Sequence, residues 1–362
     1  FEIKQTPFSA LDLTTHYNYK NYDEFKEFIH AKLKDSFKKR LIADVPISVL
    51  LSGGLDSSLV TAFYAKEKVD FTTFTIGFED KKYDESMYAK KIANYLGIPN
   101  NTFICNEQDF INKLKILPDA FDEPFGDSSA IPTLLVAEYI HKNGYKIALS
   151  SDGGDEIFGG YSRYLFALKL KRYAPFLNKI NPNNHTILQI KTPNGKSRTL
   201  YDISTHLKDN DLYTYLLHAT KQIDLNNIAI NPIQFNEYHF KKKLGFISNM
   251  CKTDVDSYLS EDILTKVDRS MMYYGVEGRE PFLDKQILEC MLQAPDKFKI
   301  HNNKGKVILR DILSSYIPPA LYDRPKMGFG IPLQKWVNGM LREEIMDIFN
   351  NNNFLSDINI QK

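Results

Sequence analysis

The chain has 362 residues, with 46 Lys and Arg against 45 Asp and Glu, so its net charge is only +1; 43% of it is hydrophobic and 25% charged. That length suits one large domain or two unequal lobes and excludes a small stapled fold. The charge balance excludes a protein that holds nucleic acid through a global basic excess, although a local patch stays open.

The three cysteines, Cys105, Cys251 and Cys290, stand far apart without a Cys-x-x-Cys pair. Neither a disulfide framework nor a zinc site is written in that spacing, and a reducing cytoplasm is the expected compartment. No apolar run reaches the roughly 18 residues of a membrane span, and Phe1-Glu2-Ile3-Lys4 is neither an initiator nor a signal sequence.

Residues 1 to 21 are mixed, rich in Tyr and Asn, and read as a linker. From Tyr22 to Leu41, Phe25, Phe28, Ile29, Leu33 and Phe37 recur at helical spacing. Ile47-Ser48-Val49-Leu50-Leu51 is an apolar run of the kind that forms a parallel strand buried on both faces. The pattern then predicts a helix from Ser57 to Lys66, a strand from Phe71 to Phe78 and a helix from Asp84 to Leu96 closed by Gly97. A strand from Asn101 to Cys105, a helix from Pro132 to Lys142 and a strand from Tyr145 to Leu149 follow. This alternation argues for a doubly wound parallel sheet with ligands at the carboxyl ends of its strands. From about Leu165 the pattern is helical and less regular, with Pro175, Pro182, Pro193 and Pro232 as breakers, so residues 22–165 are expected to form an α/β lobe and 166–362 a helical lobe completing a cleft.

Two loops carry the chemistry. Ser52-Gly53-Gly54-Leu55-Asp56-Ser57-Ser58 lies between a strand and a helix. Its glycines permit a sharp turn and close approach, and the helix N-terminus behind them favours an anion, which makes a phosphate cradle. An Asp inside such a loop calls for a bridging Mg²⁺, because a bare carboxylate repels phosphate. A plain turn with a Ser cap is the alternative. The second loop, Ser150-Ser151-Asp152-Gly153-Gly154-Asp155-Glu156, also follows an apolar strand. Its carboxylates repel one another unless a cation compensates, and Mg²⁺ would serve; a solvated acidic turn is the alternative.

Through these two loops the chain resembles the synthetase half of glutamine-dependent asparagine synthetase, within the ATP pyrophosphatase (PP-loop) superfamily. The resemblance covers nearly the whole chain. It takes in Asp84-Glu85-Ser86, Asp122-Glu123-Pro124-Phe125 with Asp127-Ser128-Ser129, Asp268-Arg269-Ser270-Met271 and Glu277-Gly278-Arg279-Glu280-Pro281-Phe282-Leu283-Asp284, then Lys306 with Leu309-Arg310 and Lys326-Met327-Gly328-Phe329. It implies a PP-loop ATPase-type sheet with a helical second lobe. It also implies an ATP-dependent ligase that adenylates the aspartate β-carboxylate, releases pyrophosphate and lets ammonia displace AMP to give asparagine.

Residue by residue, the resemblance places Asp56 and Asp155 on the metal and Ser52, Gly53, Gly54, Ser57 and Ser58 around the phosphates. Leu51 and Ile76 would flank adenine, with Ser150, Ser151 and Gly153 on the nucleotide. Asp152 would guide or deprotonate the incoming ammonia, as a base can. Lys326 would stabilise transition-state charge. Asp268, Glu277 and Arg279 either bind substrate or form structural ion pairs, and Lys306 and Arg310 face phosphate. Ser151 departs from the family, which commonly has Gly there.

The glutaminase half with its nucleophilic cysteine lies outside this sequence, whose own cysteines read as buried small hydrophobes. Phe1 opens within what resembles an interdomain linker, so a longer polypeptide is expected, with the glutaminase domain as partner. A homodimer is compatible with the resemblance, whereas nucleic acid and membrane are not expected partners. Another carboxylate, such as a sugar uronic acid in surface-polysaccharide synthesis, is the rival acceptor. A tRNA-modifying enzyme shares the glycine loop but leaves the acidic loop unexplained, and an idle nucleotide-binding module leaves Asp56, Asp152, Asp155 and Lys326 without purpose.

Overall fold

The computed structural model describes residues 11–14, 17–177, 189–191, 197–199, 203, 206–207, 209–217, 238–324, 331–339 and 341–350. The chain divides into two compact units, one of Phe1–Gly160 with Lys243–Met327, the other of Tyr161–Lys242 with Gly328–Lys362.

The first unit is built on a five-stranded sheet. Helix α1 (Tyr22–Lys39) precedes β1 (Ile47–Leu50); α2 (Leu55–Lys66) leads to β2 (Phe71–Phe78), and α3 (Ser86–Leu96) to β3 (Asn100–Cys105). After α4 (Glu107–Leu114), α5 (Leu117–Phe121) and α6 (Ala130–Lys142) comes β4 (Ile147–Leu149), then α7 (Gly154–Phe158). In the second unit α8 (Ser162–Leu177) is followed by a hairpin of β5 (Gln189–Lys191) and β6 (Ser197–Thr199). The fifth strand of the main sheet, β7 (Glu277–Arg279), returns from far along the chain, and the order is β3-β2-β1-β4-β7, all pairs parallel. The predicted strands and helices therefore form, and the sheet is doubly wound.

Alternation along β1 explains the two covered faces. Ile47 and Val49, with Leu51 just beyond the strand, join Phe71, Ile147 and Leu149 under α1, α2 and α3. Phe74 and Ala148 point the other way, against Val136, Ala137 and Ile140 of α6 and Val267 and Met271 of the helix Leu264–Tyr273. Helical spacing in α1 delivers Phe25, Ile29, Leu33 and Phe37 to the core, all at most 2% exposed. Gly97 closes α3 at φ +70, its N–H donated to Ala93 and Asn94 carbonyls, a left-handed cap that suits glycine.

Some expectations are corrected. Helix α2 begins at Leu55 instead of Ser57, because Gly54 is the N-cap and the Ser58 N–H already donates to the Gly54 carbonyl. Pro175 does not break α8; it lies inside the helix, near its end. Pro182, Pro193 and Pro232 lie outside the described residues. After Leu165 the described residues are mostly helical, as expected, with β5, β6 and β7 as three-residue strands among the helices. β7 is too short to show a period, and its three polar or glycine residues are held by pairing with β4, the Glu277 N–H donating to the Lys146 carbonyl at 2.7 Å.

Candidate active site

Strand order reverses between β1 and β4, since β2 and β3 lie on one side of β1 and β4 on the other. In a doubly wound sheet that reversal opens a crevice at the strands' carboxyl ends. Val49 pairs with Leu149, so the glycine loop and the acidic loop leave the sheet side by side at the same level.

The glycine loop is locally self-supporting. Gly53 sits at φ +73, and a Cβ there would lie 2.7 Å from the Ala89 nitrogen and 2.8 Å from the Tyr88 Cβ, so only glycine lets the loop lie against α3. The Ser52 N–H donates to Ser57 Oγ at 3.2 Å, and the Ser52 and Ser57 hydroxyls are 3.1 Å apart. The Ser58 hydroxyl donates to the Gly54 carbonyl. Asp56 falls in the first turn of α2.

The acidic loop brings its own carboxylate to the same place. Gly153 has φ +88 and Gly154 starts α7; a Cβ on Gly154 would come within 2.7 Å of Asp56 Cγ, which puts the loop directly against the Asp56 carboxyl group. Between them lies a cation supplied by the chain. The buried Lys306 ammonium pairs with Asp56 and, at 2.7 Å, with Asp155. Burial opposes the charge on Lys306, but the Asp155 and Asp56 carboxylates outweigh it and hold the pKa above the usual lysine range.

Asp152, Glu280, Lys266, Asp127 and Asp262 form a second charged group. Burial raises the Asp152 pKa, Lys266 opposes the rise, and Asp155 adds to it. Burial and the neighbouring Asp152 push Glu280 up to about 7. Lys266 donates to Asp127 at 2.7 Å and to Ser129 Oγ at 2.8 Å. Burial first, then Asp127, pushes Asp262 up to about 6. Asp262 stands in a π-helical turn, Val255–Ile263, a form that recurs at functional sites. Sequence reading missed Glu280, Lys266 and Asp262 as site residues. Glu280 was visible inside the Glu277–Asp284 run, whereas nothing local marks Lys266 or Asp262, which the helix Leu264–Tyr273 and the turn before it carry to Asp127.

Other expected residues have different surroundings. Arg279 donates to the carbonyls of Arg40 and Ile42 at 2.8 and 2.9 Å and pairs with exposed Glu277 at 2.7 Å, which ties β7 to the end of α1. Arg310 pairs with Asp323 at 2.6 Å and donates to the Gly305 carbonyl. Asp268 is exposed. Leu51 is buried in the core, its carbonyl accepting from Thr75 Oγ1 at 2.7 Å, and Ile76 is half-buried in β2. The Ser150 N–H donates to the Arg279 carbonyl and Ser151 is half-buried beside it. Lys326 lies outside the described residues.

All three cysteines are buried and none is in a disulfide, and burial pushes Cys105 up to about 12 and Cys290 to about 11, which disfavours the nucleophilic thiolate of these two. Among the described residues no group of three or more His, Cys, Asp or Glu could hold a metal by itself. Asp56 and Asp155, which share one ammonium, offer two carboxylates, and Mg²⁺ is commonly held by one or two carboxylates with water and substrate phosphates completing its shell. Among the described residues no helix is long and apolar enough to cross a membrane.

A family model described as asparagine synthase matches residues 29–358. The chain belongs to the asparagine synthase family. Among curated relatives, asparagine synthetase [glutamine-hydrolyzing] 1 of Bacillus subtilis is 27% identical over 90% of this chain and 52% of its own length. Amidase chyE of Penicillium rubens is 23% identical over 91% of this chain and 56% of its own. The chain thus spans about half the length of these relatives. NMN synthetase from Francisella tularensis, a solved structure, is 14% identical with a TM-score of 0.27, over 40% of this chain and 60% of that one.

Proposed function

We propose that this asparagine synthase family member is an ATP-dependent amide-forming ligase whose carboxylate acceptor is aspartate. In this reading the aspartate β-carboxylate attacks the α-phosphorus of ATP, pyrophosphate leaves, and ammonia displaces AMP to give asparagine. Ammonia would come normally from glutamine through a glutaminase domain. The supporting observation is the convergence of Asp56 and Asp155, from loops after neighbouring strands, on one cation beside a glycine turn that opens a helix.

The chain's own groups divide the work. Backbone N–H groups at the start of α2 bind the phosphates. Asp56 and Asp155 would hold Mg²⁺, which when bound neutralises the departing pyrophosphate. Asp152, its basicity raised by burial, takes a proton from ammonium, since only neutral ammonia attacks. Lys326 offsets negative charge as it develops. Lys266, held between Asp127 and Ser129, with Asp262 supplies both a cation and carboxylates, a pattern that suits an amino acid, which bears both charges, better than a uronic acid.

Incubation with MgATP, ammonium and aspartate tests this by chromatography. AMP, pyrophosphate and asparagine in equal amounts, dependent on aspartate, are expected. ADP and phosphate in place of AMP and pyrophosphate would overturn the adenylation, and AMP formed only with a different carboxylate would replace the acceptor.

A further inference from the structure

The site already contains a cation of its own, and its surroundings leave that cation little freedom. Lys306 is 7% exposed and immediately precedes the helix Val307–Leu313, with φ +55, a left-handed backbone that side-chain-bearing residues rarely adopt. Its neighbours are packed to hold it there. A Cβ on Gly160 would overlap the Asp155 carboxylate and Lys306 Cε, and one on Gly305 would lie 2.5 Å from the Gly159 carbonyl oxygen, so two backbone segments meet at contact distance around the lysine stem. The ammonium then bridges Asp56, in the first turn of α2, and Asp155, in the first turn of α7.

We infer that Lys306 is a positioning residue that takes the place of the divalent cation in the nucleotide-free protein, bridging Asp56 and Asp155 so that bare metal is kept out and metal and nucleotide enter together. The inference rests on the reading of Asp56 and Asp155 as metal ligands. The physical reason is charge balance in a buried site. An ammonium together with a divalent cation exceeds what two carboxylates neutralise, and the repulsion is poorly screened away from water. The phosphates of a nucleotide supply the missing negative charge and give the lysine another anion to pair with, so the carboxylates are released to the metal only when phosphate is present. Removing Lys306 takes one positive charge away from the two carboxylates and raises their affinity for a divalent ion.

Mn²⁺ uptake followed by electron paramagnetic resonance, on the full chain with and without a non-hydrolysable ATP analogue, tests this. Wild type is expected to bind Mn²⁺ tightly only with the analogue, and Lys306→Met to bind Mn²⁺ alone about tenfold or more tightly than wild type does. Adding Asp155→Asn to that variant should abolish the gain. Equal affinity of wild type and Lys306→Met for Mn²⁺ alone would overturn the inference while leaving the metal ligands in place. Absence of Mn²⁺ uptake by wild type even with the analogue would overturn the metal reading itself, and the inference with it. Should Lys306→Met not fold, the melting temperature of wild type decides. Mg²⁺ alone should leave it unchanged and Mg²⁺ with the analogue should raise it, whereas an equal rise with Mg²⁺ alone would overturn the inference.

Discussion

A single methyl group is enough to disturb the site, because two loops meet there at glycine. Gly154→Ala would set a Cβ 2.7 Å from Asp56 Cγ, so either the carboxyl or the start of α7 must shift. We expect a loss of about 1–3 kcal/mol, the usual range for overpacking, seen as a lower denaturation midpoint, together with weaker MgATP binding by calorimetry. Glu280 gives a test by pH. Burial first, then Asp152 and Asp268 against the opposing Arg40, puts its folded pKa at about 7, above the ordinary 4.5. The native state thus keeps a proton that the unfolded chain has lost, and stability falls as pH rises from about 4.5 to about 7. Glu280→Gln should flatten that slope and be more stabilising, relative to wild type, at pH 8 than at pH 4 in urea titrations. The residue was visible in the sequence but its shifted titration was not. Glu280 sits in a charged run, and only packing against Asp152 distinguishes it from exposed Glu277.

Helix α1 locks the sheet from one face. Phe37 meets Phe63 of α2 edge-on at 5.2 Å and Phe282 at 5.4 Å, so Phe37→Ala should cost about 3–5 kcal/mol, measured by chemical denaturation. Nearer the middle of α1, His30 Nε2 lies 2.7 Å from the Tyr316 hydroxyl. Burial, with Lys34 and Lys66 adding, lowers its pKa from 6.5 to about 4. As pH falls through that window the unfolded chain gains a proton that the folded histidine refuses, so stability drops with acidification. His30→Gln should remove this part of the acid sensitivity between pH 6.5 and 4, measured as the pH dependence of the urea midpoint. Elements with a strong period were legible to within a few residues: α1 was expected over Tyr22–Leu41 and spans Tyr22–Lys39. The three-residue β7 was not, since a strand that short has no alternation to read and exists only because β4 offers it hydrogen-bond partners.

For the molecule as a whole, the net charge of +1 and the proposed nucleotide site lead to opposite expectations for two ligands. Bulk tRNA at physiological salt should not retard the chain in a gel, because binding that survives salt needs many phosphate contacts from Lys and Arg. MgATP should raise the melting temperature by mass action, with about 2.7 kcal/mol of stabilisation when the free nucleotide is a hundred times its dissociation constant. An unchanged melting temperature would count against the glycine loop as a nucleotide site.

The four strands up to β4 and helices α1, α2, α3 and α6, the glycine turn and the concentration of carboxylates after β4 were readable in the chain, because each is a local matter of periodicity, backbone freedom or charge spacing, whereas the short α4 and α5 were not read. Folding alone decided which of those carboxylates meet. Asp56 and Asp155 are far apart along the chain and become neighbours because β1 and β4 pair; Lys306 reaches both because the segment before its helix packs against Gly159 and Gly160. Arg279 became a strut for the end of α1 by the same route, through the pairing of β7 with β4. Such meetings arise from strand pairing and close packing between distant segments, for which no local pattern exists.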